Sequence, residues 1–162
     1  MPFSAWPSNT RFPSMSDAAV EVLEKALVNL GASIRWLRRS YDRCSRIGVK
    51  EEYSESEFDD FENLTSRYAR TTDLIVNRTL RSIDAVELLD SGSVIDTANR
   101  AEKRGLIDSV SSLRDLKDLR NDIAHEYETE DLKGLFEAVL RATPEIFATA
   151  ERIVAYCKRY IG

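Results

Sequence analysis

The chain has 162 residues, enough for one domain that buries roughly two-thirds of the surface its unfolded form would expose. Hydrophobic residues make up 43% and charged residues 31%, with only six glycines and four prolines, which excludes a disordered chain and favours a helix-rich globular protein. The formal net charge of -5 argues against a broadly basic nucleic-acid-binding surface, so any such contact has to be local.

Cysteine and histidine usage limits the chemistry that the chain can perform. Cys44 and Cys157 are far apart and form no C-x-x-C pair, which predicts neither a disulfide framework nor a zinc site. A single histidine excludes a His-rich metal site within one chain, so we expect no metal and no cofactor. The sequence contains no signal peptide pattern and no apolar run of roughly 18 residues, which predicts a cytoplasmic protein without membrane contact.

The first predicted helix follows an irregular amino-terminal arm, residues 1–14, which holds three of the four prolines. Ser16 is its predicted N-cap, and we expect the helix to run to about Arg46 and to stop before Gly48. Apolar residues recur along it at intervals of three and four: Val20, Leu23, Leu27, Leu30, Ile34, Leu37 and Tyr41.

The second predicted helix opens at the sequence SESE, Ser54 to Glu57, which matches a capping box. We expect it to end near Gly92, about 35 residues later. Its apolar register is Phe58, Phe61, Leu64, Tyr68, Ile75, Thr79, Ile83 and Val86. A helix of this length needs a long partner, so the first two helices are predicted to lie antiparallel as the spine of a bundle.

Two shorter helices are predicted next. Ser93 begins the third, which Gly105 closes, and either Asp108 or Ser109 caps the fourth. The buried stripe of the fourth helix is Leu113, Leu116, Leu119 and Ile123.

A fifth helix is predicted to begin after Thr129, and Pro144 either kinks it or starts a new segment. No alternating strand pattern interrupts these elements. The predicted fold class is therefore all-α, an up-and-down bundle of about five helices that forms a single domain over residues 15–162.

The fourth helix carries the sequence RNDIAHEY, Arg120 to Tyr127, with the only histidine of the chain, His125. At about 100° per residue, Arg120 and Tyr127 fall within roughly 20° of each other, whereas His125 lies roughly 140° from Arg120. Asn121 and His125 are four residues apart and are neighbours on the helix surface. These polar groups form an arc along one border of the buried stripe.

Such an arc suits an anion, because a guanidinium offers fixed donors to phosphate oxygens and an imidazole moves a proton near neutral pH. It is a minimal set for metal-free phosphodiester chemistry on RNA. One histidine cannot be both base for a 2′-hydroxyl and acid for a leaving 5′-oxygen. A two-fold dimer would supply a second Arg120 and a second His125.

Structural interpretations of the same residues stay open. A lone histidine at a helix border is more often structural or solvated than catalytic, and Tyr127 beside the stripe is by default a core-edge tyrosine. Arg120 also has the simpler role of pairing with an acid, either Glu128 or one on another helix.

The spacing R-x4-H-x-Y, with Asn121 directly after the arginine, resembles the signature of the HEPN superfamily, and within it the HepT-type toxins. These toxins are the partners of small MNT-type nucleotidyltransferase antitoxins. The predicted order of helices, over about residues 15 to 160, is similar to that of the family. Three fixed positions and the asparagine carry this resemblance.

The resemblance implies a metal-independent endoribonuclease whose composite site lies at a homodimer interface. Arg120 would hold the RNA phosphate, His125 would shuttle protons, and Asn121 would be the supporting polar residue. Tyr127 would accept AMP that the antitoxin transfers from ATP, which places negative charge and bulk in the RNA site. The acidic neighbours Asp122 and Glu126 depart from what an RNA site favours, unless basic residues compensate.

The first helix has a basic arc of roughly 140° that is a candidate for this compensation. Its members are Arg35, Arg38, Arg39, Arg43 and Arg46. A solvated face, an RNA track and a surface for an acidic antitoxin are all compatible with it. Two other functions also remain open, namely a non-catalytic binding or regulatory partner of a nucleotidyltransferase and a purely structural helical dimer.

Overall fold

The computed structural model describes residues 15–129 and 131–161, with the side chains of residues 16–125 and 131–161, so the predicted arm at residues 1–14 lies outside the described residues. The helices are α1 (Met15–Ile47), α2 (Glu55–Asp73), a π-helical segment (Leu74–Thr79), α3 (Leu80–Val86), α4 (Val94–Lys103), α5 (Val110–Thr129) and α6 (Leu132–Cys157). The described part contains no strand, which confirms the all-α bundle. Because α2, the π segment and α3 follow one another directly, five helical rods result.

Helix α1 ends where the sequence predicts. Gly48 has a φ of +71°, and its N–H donates to the Cys44 carbonyl at 2.9 Å. A glycine takes this left-handed conformation without a Cβ clash, so the chain leaves the helix there. The amino-terminal prediction differs slightly, since the helix begins at Met15 and Ser16 is already inside it.

Helices α1 and α2 pack antiparallel, as predicted. Ser33 lies beside Thr71, with 2.6 Å between the hydroxyl oxygens, and the Cys44 thiol donates to the Asp60 carbonyl at 3.4 Å. The residue numbers of the contacts therefore increase along α1 while they decrease along α2, as in an antiparallel pair. The buried leucines of α1, at positions 23, 30 and 37, recur every seven residues along one face and contribute to one hydrophobic core.

The predicted capping box at the start of α2 is confirmed. The Ser54 hydroxyl accepts from the Glu57 N–H at 3.2 Å, and the Glu57 carboxylate accepts from the Ser54 N–H at 3.0 Å. The π segment, in contrast, was not predicted. The Leu80 N–H donates to the Ile75 carbonyl, five residues back, and the Thr79 hydroxyl donates to the Leu74 carbonyl at 3.0 Å.

The rod ends at Val86, not near Gly92 as predicted. Leu88 has a φ of +60°, and its N–H donates to the Ala85 carbonyl at 3.1 Å. The Leu89 N–H donates to the backbone carbonyl of Asp84 at 2.9 Å. This is the Schellman arrangement, formed here with a leucine at the position that glycine usually occupies. The sequence gives no glycine signal at this point, so the predicted helix was too long.

Buried charges hold this turn against α4. Asp84 is 3% exposed and pairs with Arg104 at 2.8 Å and with Arg100 at 3.1 Å. Arg104 also pairs with Glu87 at 3.1 Å, and Glu87 accepts from the Tyr156 hydroxyl at 2.6 Å. Burial alone would raise the pKa of Glu87, but the tyrosine and arginine hydrogen bonds lower it.

The caps of α4 and α5 follow the sequence. Ser93 and Asp96 form a second capping box, and Gly105, with a φ of +74°, closes α4. Of the two candidates for the fourth helix, Ser109 is the cap, because its hydroxyl accepts from the Ser112 N–H at 3.0 Å.

Helix α6 continues through Pro144, which therefore does not divide it. The Thr143 hydroxyl donates to the Val139 carbonyl at 2.7 Å just before the proline. Phe136 of α6 stacks on Phe61 of α2, with ring centroids 5.1 Å apart. Within the described ranges, no helix is long and apolar enough to cross a membrane.

Candidate functional site

Helix α5 carries the RNDIAHEY sequence and is anchored in the core by its predicted stripe. Leu113, Leu116 and Ile123 are buried, and the Tyr68 hydroxyl of α2 donates to the Leu116 carbonyl at 3.3 Å. Because α5 is helical throughout Val110–Thr129, the angles predicted between the motif residues hold for the backbone. The side chain of Tyr127 lies outside the described residues.

Arg120 is half-buried and is held by Asp73, the last residue of α2. Its Nε donates to Oδ1 at 2.9 Å and its Nη2 donates to Oδ2 at 3.1 Å. This two-bond geometry fixes the plane of the guanidinium, and the Asp73 hydrogen bonds raise the pKa of Arg120. Among the alternatives left open, the pairing is with an acid on another helix.

Sequence reasoning missed Asp73. The residue lies 47 positions before its partner, and no local spacing connects the two. The available signal was the apolar register of α2, which predicts that this helix packs in the bundle but not which polar residue meets Arg120. A contact of this kind is decided by helix packing.

An open groove of about 490 Å³ lies beside this ion pair. Its lining residues come from α2 and α5: Thr65, Ser66, Ala69, Arg70, Asp73, Arg120 and Ile123. Arg70 is exposed, so the groove carries two arginines and one carboxylate. A cleft of this charge attracts an anion such as a phosphate.

The π segment starts directly after Asp73, the last α2 residue that lines the groove. The Leu74 N–H still makes the α-helical bond to the Arg70 carbonyl and also contacts the Thr71 carbonyl, and the Leu80 N–H makes a π-type bond to the Ile75 carbonyl. A π segment shifts the following side chains around the helix relative to an uninterrupted α-helix, and such segments occur frequently at functional sites. Here the change of pattern lies beside the carboxylate that holds Arg120.

His125 and Asn121 do not share the groove of Arg120. His125 is exposed, and no hydrogen bond or ion pair joins it to another residue in the described ranges. Asn121 is also exposed and lines a different groove, of about 320 Å³, between α4 and α5. One chain therefore presents the arginine and the histidine of the motif on separate faces of α5.

The five arginines of the α1 arc are all exposed, but they have different surroundings. The Arg38 guanidinium lies over the Phe147 ring, 4.2 Å from its centroid. Arg43 pairs with Asp60 at 3.3 Å, and the Arg46 Nε donates to a backbone carbonyl of its own helix at 3.3 Å. These three therefore have intramolecular contacts.

Arg35 and Arg39 flank Trp36 instead. Each guanidinium carbon lies 5.7 Å from the centroid of the indole ring, and Arg67 of α2 lies at 5.2 Å from the same centroid. Sequence reasoning named neither Trp36 nor Arg67. The signal for Trp36 was present, since a tryptophan lies between arginines on the polar face of an amphipathic helix.

The buried cysteines offer no reactive thiolate. Neither Cys44 nor Cys157 forms a disulfide. Burial raises the pKa of Cys44 to about 12 and that of Cys157 to about 11, so both are protonated at neutral pH. Over the described residues, no group of three or more His, Cys, Asp or Glu side chains is placed to hold a metal ion.

Comparison of the chain with protein-family models, with curated proteins and with solved structures finds no match. Function is therefore argued from the helical fold, the Arg120 groove and the spacing of the motif on α5.

Proposed function

We propose that the chain is a metal-independent endoribonuclease toxin of a cytoplasmic toxin–antitoxin system, with a composite site built from Arg120 and His125 of two copies. The observation that carries this proposal is the presentation of Arg120, which its two hydrogen bonds to the Asp73 carboxylate orient at the edge of an open groove. A guanidinium fixed in this way is suited to one phosphate geometry.

Arg120 keeps free donors for a substrate. Among the residues that the structure describes, Asp73 engages the Nε–H and one Nη2–H of Arg120, so the Nη1 hydrogens and the other Nη2 hydrogen remain for the oxygens of a phosphodiester. Asp73 neutralises the positive charge of Arg120, and the exposed Arg70 in the same groove leaves the groove with a net positive charge. The groove thus stabilises the negative charge that develops on phosphorus-bound oxygens in the transition state.

His125 supplies the proton transfers in this proposal. One imidazole removes the proton of the 2′-hydroxyl, the 2′-oxygen attacks phosphorus, and the bond to the 5′-oxygen breaks. The leaving 5′-oxygen takes a proton from a second, protonated imidazole, which leaves a 2′,3′-cyclic phosphate. A second copy provides that second histidine, and it accounts for the separation of Arg120 and His125 on one helix.

Tyr127 is the proposed site of control. Its position lies roughly 20° from that of Arg120 around α5, so a modification there is on the arginine side of the helix. An MNT-type nucleotidyltransferase that transfers AMP to Tyr127 would add negative charge beside the phosphate site and block RNA. We expect a mass gain of AMP units with such an enzyme and ATP, and none in Tyr127→Phe.

The test is RNA cleavage by purified variants. His125→Ala is expected to lower cleavage by a factor of about one hundred or more, because general acid–base catalysis contributes on that scale. Asp115→Ala, at another exposed position of α5, is the matched control and keeps full activity. Equal cleavage by the two variants would show that His125 has no catalytic role.

A second candidate function is a non-catalytic helical partner that docks on a nucleotidyltransferase and regulates it. The observation that favours it is that Asp73 already matches the charge of Arg120 within one chain. In that case the wild-type protein binds the nucleotidyltransferase and does not cleave RNA, and His125→Ala binds equally well.

A further inference from the structure

Trp36 is an exposed aromatic residue on the polar face of α1. It is 44% exposed, although tryptophan is usually well buried. The guanidinium carbons of Arg35 and Arg39 lie 5.7 Å from its ring centroid, and that of Arg67 lies at 5.2 Å. These distances are longer than the 4.2 Å between Arg38 and the Phe147 ring, so the three arginines surround the indole without close stacking.

Hydrogen bonds hold Arg67 beside this indole. The Arg67 Nη1 donates to the Ser40 hydroxyl at 2.6 Å and to the Trp36 carbonyl at 3.3 Å. The connection joins α2 to α1 across the groove. Arg67 is therefore positioned beside the ring before any ligand binds, which lowers the entropic cost of binding.

The charges around the ring are unbalanced. Asp60 is the one acidic residue that lines this groove of about 330 Å³, and it pairs with Arg43. Within the described part of the chain, Arg35, Arg39 and Arg67 have no carboxylate within 4.0 Å. Three uncompensated positive charges thus surround an exposed indole in a protein of net charge -5.

We propose that Trp36, Arg35, Arg39 and Arg67 form a binding platform for an unpaired nucleotide of single-stranded RNA. The base stacks on the indole, and the guanidiniums contact the phosphates on either side of it. The Asn63 amide in the same groove provides donors and an acceptor for the edge of the base. Arginines alone would suit an acidic peptide, whereas the exposed ring among them favours a base.

The platform and the Arg120 groove lie on adjoining faces of α2. Asn63 and Arg67 line the first, and Ser66, Arg70 and Asp73 line the second. Arg70 follows Arg67 by three residues and lies roughly 60° further round the helix. The idea that the platform anchors a substrate strand that continues to Arg120 rests on the proposed nuclease function. The idea that the platform binds RNA does not depend on it.

The experiment uses the full chain with Trp6→Phe and His125→Ala, so that Trp36 is the one remaining tryptophan and RNA stays intact. Titration with a single-stranded oligouridylate at low salt is expected to quench Trp36 fluorescence saturably. With a dye-labelled oligonucleotide, Trp36→Ala is expected to raise the Kd about tenfold, since stacking on one aromatic ring contributes on that scale. Trp36→Phe keeps a smaller aromatic ring, and its Kd should lie between those of the parent and Trp36→Ala.

Arginine variants test the charge separately from the ring. Arg39→Gln should weaken binding several-fold and reduce the slope of log Kd against log salt by about one. Lys25→Gln is the matched control, because it removes the same charge from the same helix at an exposed residue outside the basic arc and the platform, and its Kd should stay within about twofold of the parent. Circular dichroism and thermal unfolding verify that each variant is folded.

The platform is refuted if Trp36→Ala and Arg39→Gln bind RNA as tightly as Lys25→Gln. Equal binding of heparin or of duplex RNA, insensitive to Trp36→Ala, would also overturn it, since charge alone would then explain the affinity. The nuclease proposal fails separately: RNA binding that depends on Trp36 in a wild-type chain without cleavage supports the platform and rejects the nuclease. RNA cleavage by a wild-type chain whose RNA binding does not depend on Trp36 supports the nuclease and rejects the platform.

Discussion

At the scale of single residues, the position of the Arg120 guanidinium depends on Asp73. Two parallel hydrogen bonds, at 2.9 and 3.1 Å, set the plane of the group. Asp73 is a positioning residue in the proposed mechanism, because it acts on the substrate through Arg120. An alternative is that the carboxylate competes with phosphate for the same donors.

The variant Asp73→Asn separates these two roles. An amide has one oxygen and places an NH2 group against an arginine N–H, so the two-bond geometry is lost. We expect kcat for RNA cleavage to fall about tenfold with little change in KM. Stability should change by less than about 1 kcal/mol, because the pair is partly exposed.

Asp115→Asn removes the same charge from an exposed position of α5 and is the control. A lower KM with unchanged kcat in Asp73→Asn would contradict the positioning role, since it would mean that Asp73 had been competing with the RNA phosphate.

At the scale of elements, helix boundaries follow from local signals where those signals exist. The capping boxes at Ser54 and Ser93 and the glycines at positions 48 and 105 were predictable, because each depends on a few adjacent residues. The π segment and the end of the second rod were not. Buried ion pairs between Asp84 and α4 accompany that end, and such contacts have no local sequence pattern.

Leu88 gives a direct test of the turn that ends α3. Its φ of +60° is strained for a residue with a Cβ, and its side chain is 78% exposed. Leu88→Gly should therefore raise the free energy of unfolding by about 1 kcal/mol, measured by urea denaturation. Leu89→Gly is the control at a neighbour without positive φ, and it should lower the free energy of unfolding. A lower free energy of unfolding in Leu88→Gly would show that the turn is not strained.

At the scale of the whole molecule, the sequence predicted which residues occupy α5 but not which groups meet them. Arg120 and His125 were proposed as site residues from their spacing, and the helical angle predicted between them holds for the backbone of α5. The packing of α1, α2 and α5 brings further groups to the two grooves, among them Arg70, Asp73 and Trp36. Their contacts become predictable only when the relative placement of whole helices is known.

The central claim is that two chains complete one ribonuclease site. We would mix wild-type protein with His125→Ala at equal amounts, allow the subunits to exchange, and measure cleavage at constant total protein. If each site needs both histidines, only wild-type homodimers are active and cleavage falls to about one quarter of the all-wild-type value, following the square of the wild-type fraction. A fall to about one half, linear in the wild-type fraction, would show that each site needs only one histidine and would contradict the two-histidine site.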